Sequence, residues 1–162
     1  MSSMRKEQKA YFAAGCFWGV EETFRKIKGV LETAVGYMGG HADNPTYESV
    51  CNGNTGHAET LEVVFDPAII SFEQLVEAFF DIHDPATLNR QGPDIGEQYR
   101  SAIFFINEEQ NKSAESIKKK LSESGRFSRP VVTEISQAGV FNRAEEYHQR
   151  YFEKRGGGTC HV

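Results

Sequence analysis

The order in which apolar periodicities follow one another constrains this chain more than any single motif. Lys9 to Ala14 reads as a short strand. After Cys16 the residues Phe17, Val20, Phe24 and Ile27 recur at steps of three and four, one face of a helix that Gly29 can end. Val30 to Met38 reads as a second strand. Across His57 to Phe65, Ala58, Thr60, Glu62 and Val64 alternate with Glu59, Leu61, Val63 and Phe65, the period of a third strand. Ser71 and Gln74 form a capping box ahead of an apolar stripe of Phe72, Leu75, Val76, Phe79 and Phe80. Tyr99 to Ile106 reads as a fourth strand.

The resulting order is βαββαβ, which as one unit predicts a ferredoxin-like α/β sandwich, a sheet with helices on one face. Beyond it, Asn107 and Gln110 cap a polar helix that stops near Gly125. Val131 to Ile135 is expected to add a strand, and Ala144 to Lys154 a last helix ahead of Gly156-Gly157-Gly158. The 162 residues contain no repeat or low-complexity linker. A single catalytic domain is expected, with residues 1–9 a polar N-terminal segment and 156–162 a glycine-rich tail carrying Cys160.

Composition narrows the function. A net charge of −5 disfavours nucleic acid or an anionic membrane as the main partner. No segment approaches the ~20 apolar residues of a membrane span, and the N-terminus has no apolar signal region, so a cytoplasmic protein is expected. Cys16, Cys51 and Cys160 are an odd, widely spaced set rather than a disulfide framework. Their spacings, with His41, His57 and His161, match no zinc pattern, although a metal-binding or redox-sensing module is the non-enzymatic alternative.

Between the first strand and helix lies Gly15-Cys16-Phe17-Trp18-Gly19, with the only tryptophan of the chain. A thiol where a helix begins meets unpaired N–H groups and the helix dipole, which favour the thiolate. The two aromatic rings beside it can wall a small apolar pocket. A buried core cysteine fits the same residues. Glu59 places a carboxyl group on an otherwise apolar strand face, and a carboxyl kept from water holds its proton to higher pH. A strand-edge glutamate paired with lysine fits as well. The long loop from Gly39 to Gly56, with a short helical turn around Pro45 to Val50, and the stretch Arg90 to Ser101 add Tyr47, Asp94 and Tyr99. Cys51 reads as a packing residue, and His83 and His148 as structural groups.

Gly15 to Gly19, then Pro45-Thr46-Tyr47, Gly56-His57-Ala58-Glu59, His83-Asp84-Pro85, Arg90-Gln91-Gly92 with Asp94, Gln98-Tyr99-Arg100-Ser101 and Ala144 to Gln149, together resemble the ordered signature of peptide methionine sulfoxide reductase, class A. The likeness runs from about Tyr11 to Tyr151. It implies the same ferredoxin-like fold and reduction of the S epimer of methionine sulfoxide, the reversal of methionine oxidation. It further implies Cys16 as nucleophile, Glu59 as acid, and Tyr47 and Tyr99 as donors to the sulfoxide oxygen. Phe17 and Trp18 would enclose the S-methyl group, and Asp94 would help to organise the site or the reductant contact. Cys160 would resolve the sulfenic acid as a disulfide, with thioredoxin as external reductant, no bound cofactor or metal, and a monomeric enzyme. Pro93 and Glu97 occupy variable places, and a tail with one cysteine implies a single exchange step. A thiol peroxidase also needs an activated cysteine, but neither an acid on an apolar strand nor a methyl-sized aromatic pocket.

Overall fold

The structure, a computed structural model, describes residues 7–154. Its elements are β1 (Gln8–Ala14), α1 (Phe17–Arg25), β2 (Val30–Met38), α2 (Tyr47–Cys51), β3 (Ala58–Phe65), α3 (Phe72–Asp81), β4 (Arg90–Gln91), β5 (Asp94–Ile95), β6 (Ser101–Phe105), α4 (Glu108–Glu123), β7 (Glu134–Gln137), β8 (Asn142–Arg143) and α5 (Tyr151–Lys154). Two 3₁₀ turns, Glu97–Tyr99 and Glu146–His148, precede β6 and α5.

The main sheet has the order β7-β6-β1-β3-β2-β8. Its four central strands are antiparallel neighbours, the arrangement that βαββαβ predicts, and β7 joins parallel to β6. Period-2 alternation sends Phe12, Val35, Leu61, Val63, Phe65 and Ile103 to one face, where they meet Val20 and Phe24 of α1 and Leu75, Val76 and Phe79 of α3. Phe12 lies at the centre of that layer, its ring centroid 5.3 Å from Phe24 and 5.4 Å from Phe79. Tyr11, Ala13, Met38, Ala58, Ala102 and Phe104 fill the other face beneath Ala138 and Phe141.

Local signals set the helix starts. The Ser71 hydroxyl accepts from the Gln74 N–H at 3.0 Å while the Gln74 side chain accepts from the Ser71 N–H at 2.9 Å. Asn107 caps α4 through the Gln110 N–H, and the Gln110 amide reaches back to the Lys9 carbonyl, fastening α4 to β1.

Three boundaries depart from expectation. Tyr99 belongs to a 3₁₀ turn rather than a strand, because its N–H bonds back to the Gly96 carbonyl at 3.0 Å. The added strand forms at Glu134–Gln137 rather than Val131–Ile135, since the Val132 N–H is drawn to the Pro85 carbonyl before pairing with β6 begins. The helix expected over Ala144–Lys154 is broken in two. The buried Gln149 amide accepts from the Val35 N–H and donates to the Val35 carbonyl, acting as a strand partner for β2, and Arg150 takes a positive φ of 49°. Helical dihedrals cannot continue through such a residue.

Candidate active site

Cys16 is the residue that leads out of β1 into α1. Gly15 before it has φ +99°, and a Cβ there would lie 2.9 Å from Cγ of Gln91, so a glycine is needed both for the turn and for close approach of the β4–β5 hairpin. The Cys16 side chain is half-buried at the helix start. The Phe17 N–H, first of the exposed donors of α1, points to the Glu59 carboxylate at 3.1 Å. The helix end therefore serves the carboxyl group directly, and brings it beside the cysteine.

Glu59 is 1% exposed on β3, on the apolar face that alternation assigned to it. Around it stand Tyr47 from α2 and Tyr99 from the turn before β6. Burial pushes the Tyr99 phenol well above its ordinary range, and the charges of Glu59, Cys51, Asp94 and Cys16 push it further. The Tyr47 phenol is raised in the same way, by burial and then by Cys51, Glu59 and Tyr99. Both phenols thus stay protonated, as hydrogen-bond donors, through the range where a free tyrosine would ionise. Five of the predicted residues, Cys16, Glu59, Tyr47, Tyr99 and Asp94, therefore fall in one electrostatic neighbourhood although they come from five separate segments.

Phe17 and Trp18 border this neighbourhood, Phe17 inside the core and Trp18 half-buried at its rim. The Trp18 ring stacks on Tyr151 with centroids 3.8 Å apart and planes 7° from parallel. Its indole N–H donates to Nδ1 of His148 at 2.9 Å. His148 itself is 0% exposed, and burial holds its imidazole below the ordinary value. Glu145 supports the group from behind, accepting from the Tyr37 phenol at 2.9 Å and from the Tyr47 N–H at 3.0 Å. Burial alone would raise the Glu145 carboxyl, but the Tyr47 N–H, its own N–H and the Tyr37 phenol together hold it below the usual carboxylate range.

Sequence reasoning does not place Glu145 in this network, because the Tyr37 phenol and Tyr47 N–H it accepts from lie 108 and 98 residues away in the chain. Cys51, a packing residue by its sequence context, is instead exposed at the end of α2, its thiol hydrogen-bonded with the Tyr47 phenol, with burial as the main cause of its raised pKa. The i, i+4 spacing of Tyr47 and Cys51 on a helical turn was the available signal. His83 is structural as expected, bonded to the Phe79 carbonyl and the Ser101 hydroxyl. Among the described residues no group of three or more His, Cys, Asp or Glu gathers to hold a metal ion, and no helix is long and apolar enough to cross a membrane. Cys160 lies outside the described residues.

Comparisons with known proteins give the family. A family model described as peptide methionine sulfoxide reductase matches residues 8–162. The peptide methionine sulfoxide reductase MsrA of Methanoculleus marisnigri is 57% identical over 160 residues, which is 99% of this chain and 98% of the relative. The reduced form of Mxr1 from Saccharomyces cerevisiae superposes with a TM-score of 0.89 at 36% identity, over 96% of this chain and 89% of that one. Mxr1 in complex with Trx2 is also similar, with a TM-score of 0.64 at 26% identity over 90% of this chain and 85% of that one. A likeness that spans the whole sheet, both sides of the site and the C-terminal segment makes this chain a member of the peptide methionine sulfoxide reductase family, an oxidoreductase of that type.

Proposed function

We propose that this chain reduces the S epimer of methionine sulfoxide, free or in peptides, with Cys16 as nucleophile and Glu59 as acid. The observation that carries the reading is the Glu59 carboxyl group, withdrawn from water and fixed by the Phe17 N–H immediately beside Cys16. A sulfoxide sulfur becomes a good electrophile only as its oxygen gains a proton or strong hydrogen bonds. Thiolate and acid must therefore act together.

The Cys16 thiolate attacks sulfur while Glu59 delivers a proton to the sulfoxide oxygen. The Tyr47 and Tyr99 phenols hold that oxygen as negative charge develops on it. The oxygen ends on Cys16 as a sulfenic acid and methionine leaves reduced. Phe17 and Trp18 enclose the S-methyl group, and Asp94, on the β4–β5 hairpin, helps to organise the site or the contact with the reductant.

Cys160 then attacks the sulfenic sulfur, forming a Cys16–Cys160 disulfide and releasing water. A thioredoxin reduces the disulfide, a step that the Trx2 complex of a similar protein supports. No bound cofactor takes part, every assigned group comes from one chain, so a monomer suffices, and repair of oxidised proteins in the cytoplasm is the setting.

Turnover on the separated S and R epimers with thioredoxin as reductant tests the reading. Only the S epimer should be consumed. Cys160→Ser should release one equivalent of methionine per enzyme, leave a sulfenic acid on Cys16 that dimedone traps, and stop. Undiminished steady-state turnover in that variant would remove Cys160 from the mechanism.

A further inference from the structure

We infer that His148 is a positioning residue for Trp18, clasping the indole so that the aromatic wall of the site is in place before substrate arrives; the inference rests on the proposed role of Trp18 in binding. Trp18 is a large side chain at the rim, half-open to water, and such a ring would ordinarily sample several rotamers. Here three contacts restrain it. The indole N–H donates to His148 Nδ1 at 2.9 Å, Tyr151 stacks on one face, and the Tyr47 ring lies 6.4 Å away, centroid to centroid.

His148 is placed to connect the wall with the rest of the site. Its ring lies 5.3 Å from Phe17, 5.6 Å from Trp18 and 4.5 Å from Tyr47, so it touches both proposed wall residues and one proposed oxygen donor. An indole N–H can only donate, which leaves Nδ1 without a proton and puts the proton of the neutral ring on Nε2. Nε2 has no hydrogen-bond partner among the described residues, and Glu145 Oε1 is 3.9 Å from it. A polar ring is thus kept wholly out of water for one made hydrogen bond, the one to Trp18. An apolar side chain would fill the space at lower cost if packing were the only requirement. Preorganising a binding wall lowers the ordering cost paid when substrate enters.

The chain has a single tryptophan, so one indole N–H signal reports the clasp in the unmodified protein. That signal should be protected from exchange with water, and the His148 nitrogen shifts should show a protonated Nε2 with Nδ1 accepting. An indole proton that exchanges as fast as an exposed one overturns the inference without any variant. In kinetics, His148→Phe keeps a ring but no acceptor, and should raise KM for methionine S-sulfoxide by about three- to tenfold, the worth of one hydrogen bond. The single-turnover rate at saturating substrate should hold, because the chemical groups are untouched. His148→Asn, which offers an acceptor near the place of Nδ1, should restore KM. Equal KM values in the Phe and Asn variants, or the same KM rise from His148→Phe in a Trp18→Phe background, would overturn the clasp. A wild-type protein that leaves methionine S-sulfoxide unreduced would sink the proposed function, while the exchange measurement would still decide the clasp.

Discussion

Two buried glutamates, Glu21 on the first helix and Glu59 on β3 at that helix's start, differ in what surrounds them. Glu21 and Glu59 are each 1% exposed. Glu21 accepts from the Thr33 hydroxyl at 2.7 Å and from the Arg150 N–H at 2.7 Å, tying α1 to β2 and to the chain just before α5. Its neighbours are donors that keep their protons. Glu59 accepts from the Phe17 N–H, and beyond that bond its charge acts on the phenols of Tyr37, Tyr47 and Tyr99 and on the Cys51 thiol, with Cys16 next to Phe17 in the chain. Equal burial therefore does not separate a carboxyl group that fastens the fold from the one proposed to react. The titratable company does.

The sharpest way to break this contrast is Cys16→Ser, which should abolish sulfoxide reduction even in a single turnover, since the oxygen then has no thiolate to receive it. Residual stoichiometric methionine from that variant would move the nucleophile elsewhere. Glu59→Gln should come next, slowing the sulfoxide step by roughly 10²–10⁴ as expected for loss of a positioned acid. Its amide oxygen can still accept from Phe17, so thermal unfolding should barely move. A loss of less than about threefold would mean that the phenols suffice.

Tyr47→Phe and Tyr99→Phe, measured singly and together, weigh the hydroxyls that surround Glu59. If both phenols hold one oxygen, each single change should cost less than the pair, and the combined loss should depart from the sum of the two. Strict additivity would assign them separate tasks. The smallest effect on chemistry belongs to the other carboxyl group. Glu21→Ala leaves partly buried donors unpaired and should lower stability by about 1–3 kcal/mol in chemical denaturation. Activity per folded molecule should stay within about threefold of wild type. If that variant lost as much activity as Glu59→Gln, the division between a fastening and a reacting carboxyl group would collapse.

Much of the site was legible because its signals are local. Glycine, cysteine and two aromatics at a strand-to-helix junction announce a turn with a thiol at a helix start. Alternation along β3 puts Glu59 on the apolar face with Leu61, Val63 and Phe65, and the structure holds it there. The clasp on Trp18 was not legible, since donor and acceptor are 130 residues apart and nothing near either names the other. The C-terminal segment misled for the same reason. Apolar and charged residues from Ala144 onward fit a helix by spacing, yet the Gln149 amide pairs with the backbone of β2 and turns the chain aside.

The order of residues already held the strand and helix order, hence the fold, together with the caps at Ser71 and Asn107 and the face that Glu59 occupies. Each of these depends on interactions within a few residues or on a period that burial enforces. Packing alone set that the first N–H of α1 goes to Glu59, that the Tyr47 ring meets His148, and that Glu145 joins Tyr37 to the backbone of Tyr47. Those contacts form between segments that meet only once the sheet and its helices have packed, and a pairing across such distances in the chain leaves no periodic trace in the order of residues.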